Sequence, residues 1–121
     1  MIKLIPIVNL QQMKQIIQNQ KLVMVTFITD TCSACRMQFK VLDQIEPLYH
    51  GRAQFLKLNI QDNPQFATEK MLFSVPTTMF FMNGKIVRFK SRNGTGKTDR
   101  LMGYRDAATL QGILNFLLQK A

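Results

Sequence analysis

Cys32-Ser33-Ala34-Cys35 holds the only two cysteines of the chain. Two thiols at this spacing can pass between a dithiol and a disulfide. The thiolate is the nucleophile in that exchange, and N–H groups at the start of a helix favour thiolate over thiol. A single Cys pair is half of a tetrahedral metal site. With one histidine, His50, and no second Cys pair, a metal reading needs a dimer. Redox chemistry therefore leads, and it requires a strand and a helix to meet at the motif. Lys21–Ile28 is a nearly continuous apolar run, as expected of a central strand covered on both faces. Beyond the motif, Met37, Val41, Leu42, Ile45, Leu48 and Tyr49 recur at helical spacing.

A chain of 121 residues is most simply one domain, and 46% hydrophobic with 19% charged residues is ordinary for a globular one. No internal repeat or low-complexity tract is present. The opening Met1–Val8 is too short for a signal-peptide core and meets Pro6 at once, and every apolar run falls short of a membrane span. A cytoplasmic protein is expected, with no membrane association. Two cysteines do not make a disulfide scaffold, and in a reducing compartment such a pair is usually catalytic or metal-binding.

The net charge of +9 permits attraction to acidic proteins, nucleic acid or anionic membrane; a basic solvated surface is the simplest reading. The aromatic residues fall at core spacing, so no stacking platform for nucleic acid is evident. Gly94-Thr95-Gly96-Lys97-Thr98 is like a phosphate-binding loop, but the required first glycine falls at Ser91 and no adequate helix begins at Lys97.

The remaining elements follow from local pattern. Lys3–Ile7 reads as a first strand, and Asn9 caps a helix with Leu10, Met13, Ile16 and Ile17 on one face. The helix after the cysteines should end between Pro47 and Gly51. Gln54–Asn59 alternates as a strand, and Asn63-Pro64 supplies a cap and a first-position proline for a helix through Glu69. Thr78–Met82, the primed turn Asn83-Gly84 and Lys85–Lys90 form a hairpin. Ser91–Met102 is polar and basic, and Asp106 caps a last helix to about Gln119. The order βαβαβαββα means an α/β fold, a mixed sheet with helices on both faces.

That order, with Cys-x-x-Cys after the second strand and Val75-Pro76-Thr77 before the hairpin, resembles the thioredoxin family. Phe27, Lys57-Leu58-Asn59-Ile60, Asn63-Pro64, Asn83-Gly84 and Gly103 add to the likeness, which runs over essentially the whole chain. The resemblance implies a thioredoxin fold, a central mixed five-stranded sheet flanked by four helices, as one domain over residues 1–121. It implies a cis peptide between Val75 and Pro76, exposing the preceding backbone to an extended substrate. It implies a thiol–disulfide oxidoreductase in which Cys32 attacks a substrate disulfide and Cys35 resolves the mixed disulfide. Thr31, Ser33, Ala34, Val75, Pro76 and Gly103 would form the substrate-binding surface. No cofactor or metal is implied. The expected partners are a disulfide-containing protein and a dithiol donor of the thioredoxin-reductase type, acting on a monomer.

Several residues depart from the family pattern. Thr31 replaces the usual tryptophan, Ser33-Ala34 replaces Gly-Pro, and Lys40 replaces a helix-kinking proline, which implies a straighter helix. Thr26 stands where the family buries an aspartate that helps deprotonate the resolving thiol. Lys57, which usually shares that pocket, thereby loses its partner and must lower its pKa or find water. Asp30 is an alternative proton acceptor, and Arg36 is near enough to add positive potential. About ten residues are inserted at 91–102, where Asn93-Gly94 can turn a hairpin. Lys85, Arg88, Lys90, Arg92, Lys97, Arg100 and Arg105 gather around the insertion, as expected of a surface that selects an acidic partner. The alternative is a binding module that uses the Pro76 groove and the basic loop, with weak or no redox activity.

Overall fold

The computed structural model describes residues 5–90 and 96–120. Its central strand β1 (Leu22–Ile28) is buried along its whole length, as its unbroken apolar run requires. β1 pairs in parallel with β2 (Gln54–Asn59) and antiparallel with β3 (Thr77–Met82). Around this sheet lie helices α1 (Leu10–Asn19), α2 (Ser33–Tyr49), α3 (Pro64–Glu69) and α4 (Ala107–Lys120).

Side-chain alternation divides the core in two. Met24, Phe55 and Phe80 face α2 and α4, meeting Leu42, Ile45, Leu110 and Leu114. Val25, Leu56 and Met79 face the other way, toward Met13 and Ile17 of α1. The Tyr49 hydroxyl links α2 to α4 by donating to Asn115 Oδ1 over 2.7 Å.

The helix ends follow the capping signals with one exception. Asn9 and Gln12 close a reciprocal capping box on α1. Asp106 Oδ1 accepts from the Thr109 N–H at 2.9 Å, and Gly51, at φ +83°, follows the end of α2. Asn63 precedes α3 without capping it; its side-chain amide donates to the Asn59 carbonyl instead.

The first strand is reduced to a bridge. Ile7 lies parallel to Lys57, flanked by bonds from Lys57 N–H to Pro6 O and from Val8 N–H to Lys57 O, both 2.9 Å. Lys3 and Leu4 lie outside the described residues.

The last strand differs more. Asn83 and Gly84 both have positive φ, as a primed turn demands, and β4 (Lys85–Ile86) returns beside β3. The expected strand Lys85–Lys90 then breaks. In β4's register Phe89 would stand opposite Thr78, but β7 (Leu101–Met102) takes that place, with Leu101 opposite Thr78. β5 (Phe89–Lys90) pairs with β6 (Lys97–Thr98) in a separate two-stranded sheet. The insertion thus opens the edge strand from within. Phe89 and Leu101 satisfy the alternation equally well, so local pattern does not choose between them; the pairing of β5 with β6 does. Asn93-Gly94, the expected turn, lies outside the described residues.

Candidate active site

The end of β1 delivers the chain to the cysteines. Cys32 is the cap of α2, with extended backbone at φ −97°, ψ 110°, and its Sγ accepts the Cys35 N–H at 2.9 Å. An anionic sulfur at this position is favoured by that bond and by the helix dipole. Cys32 and Cys35 are joined by a disulfide, with Cα atoms 5.1 Å apart. Cys32 is half-buried and Cys35 fully buried. One sulfur can therefore meet a partner while the other is reached through it.

The facing wall is the turn before β3. The Val75–Pro76 bond is cis, and the Val75 carbonyl oxygen lies 3.6 Å from Cys32 Sγ. Thr77 Oγ1 donates to the Ser74 carbonyl at 2.7 Å and holds this turn. Gly103, at φ +87°, donates its N–H to the Pro76 carbonyl at 2.7 Å. Strain-free positive φ favours glycine there. Thr31, Ser33 and Arg36 are exposed and Ala34 is half-buried on the helix side. The Arg36 N–H bonds the Cys32 carbonyl as part of the first turn.

Asp30 is turned to β2. It is exposed, its Oδ1 accepts from Asn59 Nδ2 at 2.8 Å, and its N–H donates to Gln61 Oε1. Its carboxylate thus steadies the strand-end loop.

Beneath the site, Lys57, Thr26 and Thr78 form one row across the sheet. Thr26 and Thr78 are completely buried, and neither hydroxyl has a hydrogen-bond partner among the described residues. Lys57 places Nζ 4.1 Å from the centre of the Phe39 ring. Burial lowers its pKa, and attraction to Asp43 opposes that shift. Without an aspartate at position 26, the cation leans on an aromatic face and a distant carboxylate.

Two features escape a reading of the sequence. Gln38, polar yet fully buried on α2, donates to the Arg105 carbonyl at 2.9 Å and accepts the Arg105 N–H at 2.8 Å. It ties the cysteine helix to the segment after Gly103; its place on the inward face of α2 is the only signal for it. Phe73 (77% exposed), three residues before Pro76, and Met102 (61%) and Tyr104 (37%), on either side of Gly103, are exposed apolar residues in the chain around the site. Their signal is large apolar residues in loops.

Comparison with known proteins bears on this geometry. The thioredoxin family model matches residues 5–107. This chain belongs to the thioredoxin family. It is 31% identical to a thioredoxin of Porphyra purpurea over 102 residues, covering 84% of this chain and 85% of that one. A thioredoxin of Rickettsia felis is 33% identical over 72 residues, 60% of this chain and 69% of the relative. Among solved structures, a chloroplastic thioredoxin z superposes with a TM-score of 0.78 over 100% of this chain and 99% of that one, at 18% identity. A mutant thioredoxin from Halobacterium salinarum gives 0.75 over 93% and 88%, also at 18%. These structural matches establish the thioredoxin fold. Family membership and the disulfide-forming Cys-x-x-Cys pair together make the chain a thiol–disulfide oxidoreductase. Among the described residues, no helix is long and apolar enough to cross a membrane.

Proposed function

We propose that Cys32 is the nucleophile and Cys35 the resolving thiol of a protein-disulfide reductase working in the cytoplasm. The observation that carries this reading is the asymmetry of the pair: a half-exposed helix-capping sulfur joined to a fully buried one. In the dithiol state the Cys32 thiolate attacks one sulfur of a substrate disulfide. A Cys32–substrate S–S bond forms and the substrate's other sulfur leaves as a thiolate, which takes a proton. Cys35 then loses its proton and attacks Cys32 Sγ. The second substrate thiolate departs, and the Cys32–Cys35 disulfide remains. Two electrons have passed to the substrate, and a dithiol donor of the thioredoxin-reductase type restores the pair.

Val75 and Pro76 present backbone to an extended substrate segment, opposite Thr31, Ser33 and Ala34, with Gly103 at the far side. The basic residues of the insertion favour an acidic protein partner, approached by a monomer. Resolution runs without the family's buried carboxylate, because a threonine hydroxyl is no base at neutral pH.

Insulin reduction driven by dithiothreitol tests the assignment. Cys32→Ser should abolish turnover, and Cys35→Ser should accumulate a mixed disulfide visible by mass spectrometry. Equal rates for wild type and Cys32→Ser would leave only a binding module.

A further inference from the structure

Residues 87–90, 98 and 100–102 face α4 across an open groove of about 840 Å³ to which neither cysteine contributes. Its walls are apolar: Val87, Phe89 and Leu101 on one side, Ile113, Phe116 and Leu117 on the other. Arg88, Lys90, Arg100 and Arg105 also line it, and among the described residues no acidic one does. Asp99 pairs with Arg100 over 2.8 Å and also attracts Arg88, so it offsets part of both charges and leaves Lys90 and Arg105 as the uncompensated cations. Arg105 donates to the carbonyls of Met102 and Tyr104, which orient the guanidinium but leave its charge in place.

Gly112 sits in the middle of α4 on the floor of this cavity. Its backbone does not require glycine, and a Cβ built there meets nothing within 4 Å. Glycine inside a helix is nonetheless about 1 kcal/mol worse than alanine. Among the described residues no neighbour comes close enough to need the glycine. With Ala108 one turn before it, Gly112 leaves a lane on α4 along which another backbone can approach closely. Helices pack with axes roughly 8–10 Å apart, the distance depending on the size of the side chains that meet.

From apolar walls, a cationic rim and this open lane, we infer that the cavity docks an acidic amphipathic helix of the protein whose disulfide is reduced. The apolar face of that helix fills the cavity and its carboxylates meet Arg88, Lys90 and Arg105. The groove reaches toward the active site through two of its residues. Met102 and Arg105 line it and flank Gly103, which is bonded to the Pro76 carbonyl beside Cys32. A helix seated there holds its own disulfide at high local concentration near Cys32. That the docked protein is a substrate rests on the oxidoreductase reading; the groove itself does not.

The test is fluorescence anisotropy with a labelled, cysteine-free peptide of roughly 18 residues, long enough to form helix. Leucines on one face and glutamates on the other make the probe; a version with lysine for glutamate is the control. Gly112→Leu should fill the lane and weaken binding at least tenfold, and Lys90→Glu with Arg88→Glu should do the same. Gly112→Leu improves helix propensity and meets open space, so its melting temperature should not fall. Insulin reduction should be unchanged in Gly112→Leu. Equal affinity of wild type and Gly112→Leu for the acidic peptide overturns the inference, as does equal binding of the lysine peptide. Binding to phosphatidylglycerol vesicles that Gly112→Leu abolishes, with no peptide binding, also overturns it and assigns the surface to membrane. If Cys32→Ser retains full turnover while peptide binding behaves as expected, the oxidoreductase reading fails and the groove stands.

Discussion

Replacing Thr26 by valine should stabilise this protein. Thr26 and its cross-strand neighbour Thr78 are both 0% exposed, and each carries a hydroxyl with no hydrogen-bond partner among the described residues. An uncompensated hydroxyl in a protein interior costs about 1–3 kcal/mol, and an apolar group of the same shape removes that penalty. Valine keeps the β-branched form that suits a strand and exchanges oxygen for a methyl group. Thr26→Val and Thr78→Val should each raise unfolding free energy by about 1–2 kcal/mol. Guanidinium titration measures this as a higher midpoint at unchanged slope. The double variant should be more stable than either single one, with any departure from the sum reporting the coupling of these cross-strand neighbours. Insulin reduction should be unaffected, since the hydroxyl is not a base. A lower midpoint in either single variant, recovered in the double, would refute the reasoning, because the hydroxyls would then be satisfying one another.

Three further outcomes follow from the same surroundings. Thr26→Asp puts a carboxylate beside Lys57 and should speed decay of the mixed disulfide in stopped-flow measurement, within the roughly 100- to 10,000-fold range of general-base assistance; an unchanged rate would mean that resolution is already assisted. Lys57→Met should flatten the alkaline pH-dependence of stability. Burial depresses the folded-state pKa of Lys57 below its ordinary 10.5, so between those two values the unfolded chain binds more protons and wild-type stability rises with pH. Denaturation midpoints across that window check the slope. Gln38→Leu removes both partners of the Arg105 backbone and should destabilise by about 2 kcal/mol or more, read by thermal or denaturant unfolding.

The cysteine pair, its capping helix and the Val75-Pro76 turn were legible because each leaves a local mark. Apolar runs, turn dipeptides and Cys-x-x-Cys spacing act over a few residues, and the family pattern joins them. The fate of the return strand was not legible. Phe89 and Leu101 both fit opposite Thr78, and register was settled by a pairing between β5 and β6 that no short window contains. Gln38 was hidden for a related reason: its place on the inward face of α2 marks it as buried, but its partner Arg105 lies 67 residues away. Lys57 was half legible. The loss of its carboxylate neighbour could be read from Thr26, but its rest on Phe39 depends on how α2 crosses the sheet.

The insertion sits where a strand body can be opened at least cost. An edge strand has neighbours on one side only, so leaving it gives up few ladder bonds, and lengthening a loop adds closure entropy slowly. Both ends are fixed: Val87 N–H bonds the Phe80 carbonyl over 2.8 Å before the excursion, and Leu101 and Met102 pair with Thr78 and Thr77 after it. Arg100 adds a brace, donating to the carbonyls of Lys70 and Met71 at the end of α3. These registers make a specific deletion testable. Removing residues 89–100 joins Arg88 to Leu101, and in β4's register Leu101 then falls opposite Thr78, where it already stands. The shortened chain should fold with one unbroken edge strand and keep Gly103 bonded to Pro76. It should reduce insulin at the wild-type rate, since neither cysteine nor the Pro76 turn is touched. Its affinity for the acidic helical peptide should fall at least tenfold, because Phe89, Lys90, Thr98 and Arg100 of the groove's lining are gone. Loss of insulin reduction in a deletion variant that still unfolds cooperatively would show that the insertion serves the cysteines directly and not a separate docking surface.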